Sequence, residues 1–512
     1  MTAAGQNRPL AELVARWRGE GRLIGGDTPA LDLSGIADDS RTVEPGELFV
    51  AVRGLRVDGH DHVAQAVERG AVAIAVERHL DGVEVPQLVV DRGAAALASA
   101  AAWWYGDPSR ELLTVGVTGT NGKTTTSFLA RAALEATGLG SGLIGTIGIG
   151  IGDALRRNEE PNTTPGALDL QALLREMRDI GEDAVVLETS SHGLAAERVG
   201  SVDYDAAIFT NLSHEHLDFH GTFEAYRDAK LSLFSRLPRE AKRGWPGLAV
   251  INVDDQHAPM FIDAAATAGA RVITYGASAP AGIQLVHIDA SVAGSSLVVE
   301  IGGYPPLGVN LPIPGRYNAH NALAVLGLAV GWGLDMGAVV DAIARFPGVP
   351  GRMELVDRGQ PFTVVVDYAH TPKSIDAAAS ELAHLAKAGG GSVISVFGAS
   401  GERDVGKRPL MGEAGARHSR LVIVTEDDSR GEDPASIYEQ IAAGAAKAGK
   451  KRDEDLLVIG DRRAAIAEAF RRAKPGDVVL LAGKGHETWN MGPNGPEPWS
   501  DRDAAEQELA AL

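Results

Sequence analysis

The sequence predicts an α/β protein of three domains. Length is the first reason: 512 residues exceed what one hydrophobic core organises, and about 150 residues per domain gives roughly three. The second is texture. Short apolar runs rich in Val, Ile and Leu alternate with helical stretches, which is the pattern of parallel strands covered on both faces. The third is a glycine-rich turn set between one such run and a helix, at residues 118–125.

Residues 1–110 carry β-like runs at 47–52, 72–76 and 87–90 with helical stretches between them, an N-terminal α/β module. Residues 111–348 open with a run at 112–117 and continue with runs at 184–187, 206–209 and 248–252, a central parallel sheet. Within them a turn-rich part, 269–314, reads as a small β region. Residues 349–512 alternate most regularly: runs at 362–366, 392–397, 421–425, 456–459 and 478–481 are separated by helical patterns such as 434–448 and 462–473. That alternation predicts a doubly wound, Rossmann-like C-terminal domain. The segment Phe346-Pro-Gly-Val-Pro-Gly351 reads as a linker, because Pro and Gly there cannot continue a helix.

Composition narrows the function classes. The chain has 48 basic and 68 acidic side chains, a net charge of −20. Such a surface argues against nucleic acid or an anionic membrane as partner, although a local site can still bind phosphate. There is no cysteine, so disulfides, thiolate nucleophiles and cysteine-ligated metal centres are excluded together. The first twenty-one residues lack a basic start followed by an apolar core, and the most apolar stretch, 94–104, is too short to span a bilayer. A cytoplasmic, soluble protein without a membrane span is expected.

The turn at Thr118-Gly-Thr-Asn-Gly-Lys-Thr-Thr125 has the chemistry of a phosphate loop. Gly119 and Gly122 let the backbone turn its N–H groups towards a phosphate, with Thr120 and Asn121 between them. The helix that follows adds partial positive charge at its N-terminus. Lys123 would reach the β- and γ-phosphates, and Thr124 or Thr125 would sit on Mg²⁺. The spacing departs from G-x-x-x-x-G-K-[ST], since Gly119 precedes Gly122 by three residues. This predicts a P-loop-type ATPase domain of variant spacing.

A nucleoside triphosphate brings a metal, and the metal needs hard oxygen ligands. Glu188 ends the run 184–187, and His216 follows the run 206–209 with His214 and His220 nearby. Both fall past the C-terminal ends of strands, where open α/β sheets bind ligands. The bland alternatives are a helix N-terminal carboxylate for Glu188 and a surface histidine for His216. Lys230, on a helical run over 222–234, reads from the residues alone as an exposed helix lysine.

Taken together, Gly119-Thr-Asn-Gly-Lys-Thr-Thr125, Glu188-Thr-Ser-Ser-His-Gly193, Asn211-Leu-Ser with His216-Leu-Asp218, Gly315-Arg-Tyr-Asn318 with Asn321, and Asp367-Tyr-Ala-His370 resemble the Mur ligases in order along nearly the whole chain. These are ATP-dependent amide-forming enzymes of peptidoglycan precursor synthesis. The resemblance is nearest to members that add a diamino acid to UDP-N-acetylmuramoyl-L-alanyl-D-glutamate. It implies that Lys230, in Tyr226-Arg-Asp-Ala-Lys230, is carbamylated and holds Mg²⁺ with His216, Glu188 being a further metal ligand. A carbamate is anionic where a bare ammonium would repel the metal. It further implies that Asn321, Arg352 and Asp367 complete the ATP site, the last two from the third domain, which would close about the linker. Ser40 in Asp39-Ser-Arg41 would serve a UDP-binding N-terminal module. Asn162, Thr163, Thr164, Ser190 and Arg198 would hold the nucleotide-sugar dipeptide. From the residues alone, Ser40 and Thr163 read as ordinary turn chemistry.

By the same resemblance Arg403, Asp427, Asp428, Ser429, Arg430, Gly483 and Glu487 bind the incoming amino acid. Arginine offers a planar fork for a carboxylate, and glutamate can hold an ammonium. Members adding meso-diaminopimelate carry Asp-Asn-Pro-Arg where this chain has Asp427-Asp-Ser-Arg430. Arg430 favours a distal carboxylate and hence meso-diaminopimelate. Asp428 brings a negative charge that would suit L-lysine or L-ornithine instead. The remaining alternatives are a folylpolyglutamate synthetase-like ligase, which lacks the N-terminal uridine module, and a non-catalytic ATP-binding scaffold derived from a ligase. A GTPase switch is disfavoured by the absence of Asn-Lys-x-Asp. Small-molecule substrates and a monomeric state are expected.

Overall fold

The computed structural model describes residues 7–26, 28–54, 57–157, 162–213, 215–278, 280–492 and 495–512. His214 and the first six residues of the N-terminus lie outside the described residues. The architecture is α/β in three modules, each built on its own parallel sheet. By packing, the chain divides into two compact units: 1–283 with 324–339, and 284–323 with 340–512.

In the first unit, the N-terminal sheet has the strand order Leu23–Gly26, Gln87–Val90, Ala73–Val76, Glu47–Val50, Gly35–Ala37. All but the antiparallel first strand run parallel. Helix Gly93–Trp104 buries mostly small residues, alanine above all, which lets it lie close against both this sheet and helix Ala167–Asp179. The central sheet then follows in the order Ala154–Arg157, Gly148–Ile151, Ser141–Ile144, Ala184–Glu188, Leu113–Thr118, Ala206–Phe209, Leu248–Asn252, Arg271–Gly276. Its last six are parallel, and every residue of Leu113–Thr118 is buried, as expected of a strand covered on both faces. The first two strands in that order form an antiparallel hairpin, which apolar periodicity did not single out because glycine dilutes it.

Inside this sheet polar groups are matched. Asp205 is buried and accepts from the backbone N–H of Thr114 at 2.8 Å and of Lys242 at 2.9 Å, with the Lys242 ammonium also against it. A buried carboxylate without such donors would cost several kcal/mol.

In the second unit, strands Gly294–Ile301 and Leu307–Leu311 pair antiparallel within the small β region. The large sheet has the order Glu354–Val356, Thr363–Asp367, Val478–Ala482, Val393–Phe397, Ser419–Val424, Leu456–Val458. Five strands are parallel and the first is an antiparallel edge. Helices Pro372–Ala388, Lys407–His418 and Pro434–Lys447 cover one face around Ile375, Leu382, Met411 and Ile441. Helices Arg462–Arg472 and Asp501–Ala510 cover the other around Ile466, Phe470 and Leu509. This is the doubly wound arrangement, and the strand runs read from the sequence fall within one or two residues of the observed strands.

One buried ion pair ties the second face to the sheet's ends. The Arg462 guanidinium donates to both Asp501 oxygens, at 2.7 and 2.6 Å, and both side chains are almost fully buried. It also donates to the carbonyls of Glu426 at 3.0 Å and Ala482 at 2.9 Å. The Trp499 indole N–H completes the carboxylate at 2.8 Å. Removing one partner strands the other's charge in the interior. Arg462→Met should therefore destabilise the second unit by about 3–5 kcal/mol, read from chemical denaturation. A loss below about 1 kcal/mol would show the pair to be dispensable.

Candidate functional site

The loop at residues 118–125 sits where three parallel strands end together. Val117 pairs with Glu188, and Thr118 with Phe209, so the loop, residue 189 and residue 210 leave the sheet side by side. Gly119 has φ +148, and a Cβ there would lie 1.9 Å from Thr210 Oγ1. Only glycine allows that approach. Thr210 Oγ1 donates to the Asn121 carbonyl at 2.6 Å. The Asn211 side chain both accepts from Asn121 N–H at 3.0 Å and donates to its carbonyl at 3.0 Å. The loop is thus held from the neighbouring strand, and Gly122, with φ +85, starts helix Lys123–Ala136. Lys123 Nζ curls back to the carbonyls of Gly119 at 3.0 Å and Thr120 at 2.9 Å. Thr124 and Thr125 are buried in the first helical turn.

Glu188 is fully buried. Its carboxylate accepts from Thr124 Oγ1 at 3.0 Å, from Thr146 Oγ1 at 3.0 Å and from Thr146 N–H at 3.1 Å. Gly145 makes room, since a Cβ there would meet Glu188 Oε1 at 2.1 Å. Thr146 was not singled out from the sequence; it lies between two short strands with no motif around it. Its hydroxyl is also 3.0 Å from Thr163 Oγ1. Thr164 Oγ1 bonds the Glu188 carbonyl at 2.8 Å and Ser190 Oγ at 3.0 Å, and Arg198 donates to the Thr164 carbonyl at 2.9 Å. Ser190 caps helix Ser191–Ala195 through Gly193 N–H. Thr163, Thr164, Ser190 and Arg198 are therefore gathered round the end of strand Ala184–Glu188, with Asn162 next in chain.

Lys230 overturns the reading of an exposed helix lysine: it is 1% exposed. On helix Phe223–Ser235 it shares the inward face with Tyr226, Leu233 and Phe234, spacings of four, three and four residues. That apolar stripe was the available signal. Its Nζ donates to the Gly119 carbonyl at 2.8 Å and lies 4.8 Å from the Tyr226 ring centroid. Burial, then the nearby Lys123 ammonium, push its pKa well below the ordinary lysine value. His216 has φ +56 and packs 4.7 Å from His192, centroid to centroid, with His220 a further 5.5 Å from His192. Desolvation lowers all three, His192 to about 4, so these rings are neutral at pH 7. Among the described residues no group of three or more His, Asp or Glu is placed to hold a metal. Thr124 and Glu188 nonetheless form the hydroxyl–carboxylate pair that suits Mg²⁺ beside a phosphate. Ser40 lies in the N-terminal module, buried, with its Oγ 2.7 Å from Gln65 Oε1.

The second unit holds the remaining residues. Asp367 ends strand Thr363–Asp367 and accepts from the N–H groups of Met353 at 2.8 Å and Ala369 at 2.9 Å. Burial raises its pKa while the Arg352 guanidinium opposes the rise. Arg352 lies 4.9 Å from the Tyr368 ring centroid, and Asn321 donates to Asn318 at 2.9 Å. Gly351, in the segment read as a linker, has φ +65, and a Cβ there would lie 2.0 Å from His486 N, so that turn is docked on residues 485–486. Asp427 is buried against Gly483, whose φ is +113 and whose added Cβ would lie 2.3 Å from Asp427 Oδ2. Desolvation brings the Asp427 carboxyl up to about 6. Ser429 is buried with no partner for its hydroxyl among the described residues, and Arg430 Nε is likewise buried without one among them. Arg403 is exposed on the loop after strand Val393–Phe397, and Glu487 follows strand Val478–Ala482. Asp367, the turn 427–430, Arg403 and Glu487 therefore stand at the C-terminal edge of this sheet.

Three family models cover the chain in order: the Mur ligase family catalytic domain at 32–105, the Mur ligase middle domain at 117–329 and the Mur ligase glutamate ligase domain at 351–485. A UDP-N-acetylmuramyl-tripeptide synthetase of Roseiflexus sp. (strain RS-1) is 44% identical over 489 residues, 94% of this chain and 95% of that protein. A UDP-N-acetylmuramoyl-L-alanyl-D-glutamate–2,6-diaminopimelate ligase of Streptomyces coelicolor is 39% identical over 98% of this chain and 96% of its own. A solved structure of a ligase of that same name superposes with a TM-score of 0.70 at 31% identity, covering 99% of each chain. The folylpolyglutamate synthase of Mycobacterium tuberculosis shares the fold alone, at 20% identity, a TM-score of 0.59 and 76% of this chain. With sequence likeness running through all three modules, the chain belongs to the Mur ligase family.

Proposed function

We propose that the chain is an ATP-dependent ligase joining a diamino acid, meso-diaminopimelate, to the D-glutamate of UDP-N-acetylmuramoyl-L-alanyl-D-glutamate, a step of peptidoglycan precursor synthesis. The observation that carries the choice of amino acid is Arg430: a guanidinium whose buried Nε has no partner among the described residues, at the sheet edge where Asp427, Gly483 and Glu487 converge. A carboxylate satisfies such a group and an ammonium does not. Relatives sharing about two fifths of their residues carry the diaminopimelate ligase name, which supports the same reading.

The N-terminal module, residues 1–110, takes the uridine diphosphate, with Ser40 as a contact. Residues 111–348 take ATP, and 349–512 take the amino acid. The substrate's γ-carboxylate attacks the γ-phosphorus of ATP and ADP leaves, forming an acyl phosphate. The amine then attacks the acyl carbon, and the tetrahedral adduct collapses with loss of phosphate and a proton. Gly119, Thr120, Asn121 and Gly122 shape the loop that positions the phosphates, and Lys123 offsets the charge gathering there. Asn321, Arg352 and Asp367 contact the nucleotide. Asn162, Thr163, Thr164, Ser190 and Arg198 orient the dipeptide. Thr124, Glu188, His216 and a carbamate on Lys230 would hold Mg²⁺, which would supply positive charge towards the phosphoryl oxygens when bound.

The Lys230 environment favours that modification. Carbon dioxide adds only to an uncharged amine, and burial, then the Lys123 ammonium, both favour the uncharged form of this one. A carbamate there would set a negative charge near the Lys123 ammonium, where a second positive charge is disfavoured.

Three measurements test this reading. With ATP, Mg²⁺ and the UDP-sugar dipeptide, product mass should appear with meso-diaminopimelate and not with L-lysine or L-ornithine; product with either of the latter overturns the amino-acid assignment. Lys230→Ala should lower kcat by roughly 10²–10³-fold, the scale of losing one preorganised electrostatic group. Protein freed of carbon dioxide should lose activity and regain it on adding bicarbonate. Full activity in Lys230→Ala would remove the carbamate from the mechanism.

A further inference from the structure

The turn after strand Ser419–Val424 carries Asp427 and Asp428 in succession, and a bare carboxylate at Asp428 would repel an arriving carboxylate. The fold places a buried ammonium against it. Lys484 Nζ lies 2.8 Å from Asp428 Oδ1 and 2.6 Å from Glu487 Oε2, and the Lys484 side chain is fully buried. It also stands 5.1 Å from the Trp489 ring centroid. The same Asp428 oxygen accepts from Met491 N–H at 2.8 Å, while Asp428 N–H donates to Asn490 Oδ1 at 3.0 Å. Arg430 N–H then donates to the Met491 carbonyl at 2.8 Å.

These bonds dock the turn on strand Trp489–Gly492 and hold two non-glycine residues, Asp428 at φ +50 and Arg430 at φ +56, in the left-handed region. Such conformations persist only where surroundings impose them. One oxygen of the Asp428 carboxylate is therefore occupied by an internal cation and a backbone donor. Arg430 keeps its buried Nε without an acceptor among the described residues.

We propose that Lys484 is a specificity-determining positioning residue: by pairing with Asp428 and Glu487 it neutralises the acidic turn and fixes Arg430, so that the pocket admits a distal carboxylate in spite of Asp428. This rests on the ligase reading above. Without Lys484, two carboxylates would face the amino acid uncompensated, attracting a distal ammonium and repelling a distal carboxylate. The serine at 429 fits the same account. Proline is absent from the turn, and its conformation comes from the Lys484 and Met491 contacts instead of from a ring.

The test compares wild type, Asp428→Asn, Lys484→Met and the double variant. For each, kcat/KM is measured with meso-diaminopimelate and with L-lysine, and unfolding is followed by denaturant. Lys484→Met should lower the diaminopimelate-to-lysine ratio by roughly tenfold or more, chiefly through KM for diaminopimelate. Asp428→Asn should move the ratio the other way, and the double variant, which leaves no orphaned charge between these two positions, should return towards wild type. The unfolding cycle should show coupling of roughly tenfold in the folding equilibrium. Single variants that shift the ratio in the same direction, or a Lys484→Met that weakens both amino acids equally, overturn the specificity role. Absence of coupling removes the ion pair itself, whatever the activity. Should wild type ligate no diamino acid, the ligase reading fails and the specificity role with it, while the unfolding cycle still decides the pair.

Discussion

The central site depends on register within one sheet. Strand Leu113–Thr118 lies between Ala184–Glu188 and Ala206–Phe209, all parallel, with Val117 opposite Glu188 and Thr118 opposite Phe209. A slip of one residue would turn every side chain to the opposite face and carry Glu188 away from Thr124. Because the three ends are level, the phosphate loop can be clamped by Thr210 and Asn211 from one neighbour while the other presents a carboxylate to its first helical turn. The closeness of that clamp is what demands glycine at 119.

Two lysines converge on this loop with opposite consequences. Lys123 is partly accessible and folds over the loop's own carbonyls. Lys230 approaches the Gly119 carbonyl from the interior, where desolvation and the first lysine's charge both disfavour a second ammonium. One ammonium thereby stays over the loop's carbonyls, while positive charge on the second amine, behind the loop, is disfavoured. His216 and His220 pack near Tyr226, on the same helix as Lys230, and desolvation lowers the pKa of each.

The second unit solves a related problem by pairing charges. Arg462 and Lys484 are buried cations, each bonded to two features of the sheet's C-terminal edge: Arg462 to Asp501 and the carbonyls before Asp427 and Gly483, Lys484 to Asp428 and Glu487. Each meets carboxylates that would otherwise be uncompensated charges in the interior, and desolvation brings the neighbouring Asp427 up to about 6. Arg430 differs from these two in that its buried Nε has no acceptor among the described residues.

Local sequence determined the strands and the sites' addresses. Apolar β-branched runs can be read because strand burial on both faces is a local property of composition, and Gly119, Gly122 and Lys123 can be read because a phosphate loop is contiguous. Glu188 and the turn 427–430 were legible as positions at strand ends. Tertiary structure decided what could not be local. Lys230 is buried because Tyr226, Leu233 and Phe234 draw its helix face inward, which a single charged residue conceals from propensity reasoning. Thr146 joins Glu188 only because an antiparallel hairpin folds back beside a parallel strand. Asp428 reads as an added negative charge until Lys484, fifty-six residues away, is brought within 2.8 Å. Charge compensation across such distances is set by which strands become neighbours, and a linear pattern does not contain that information.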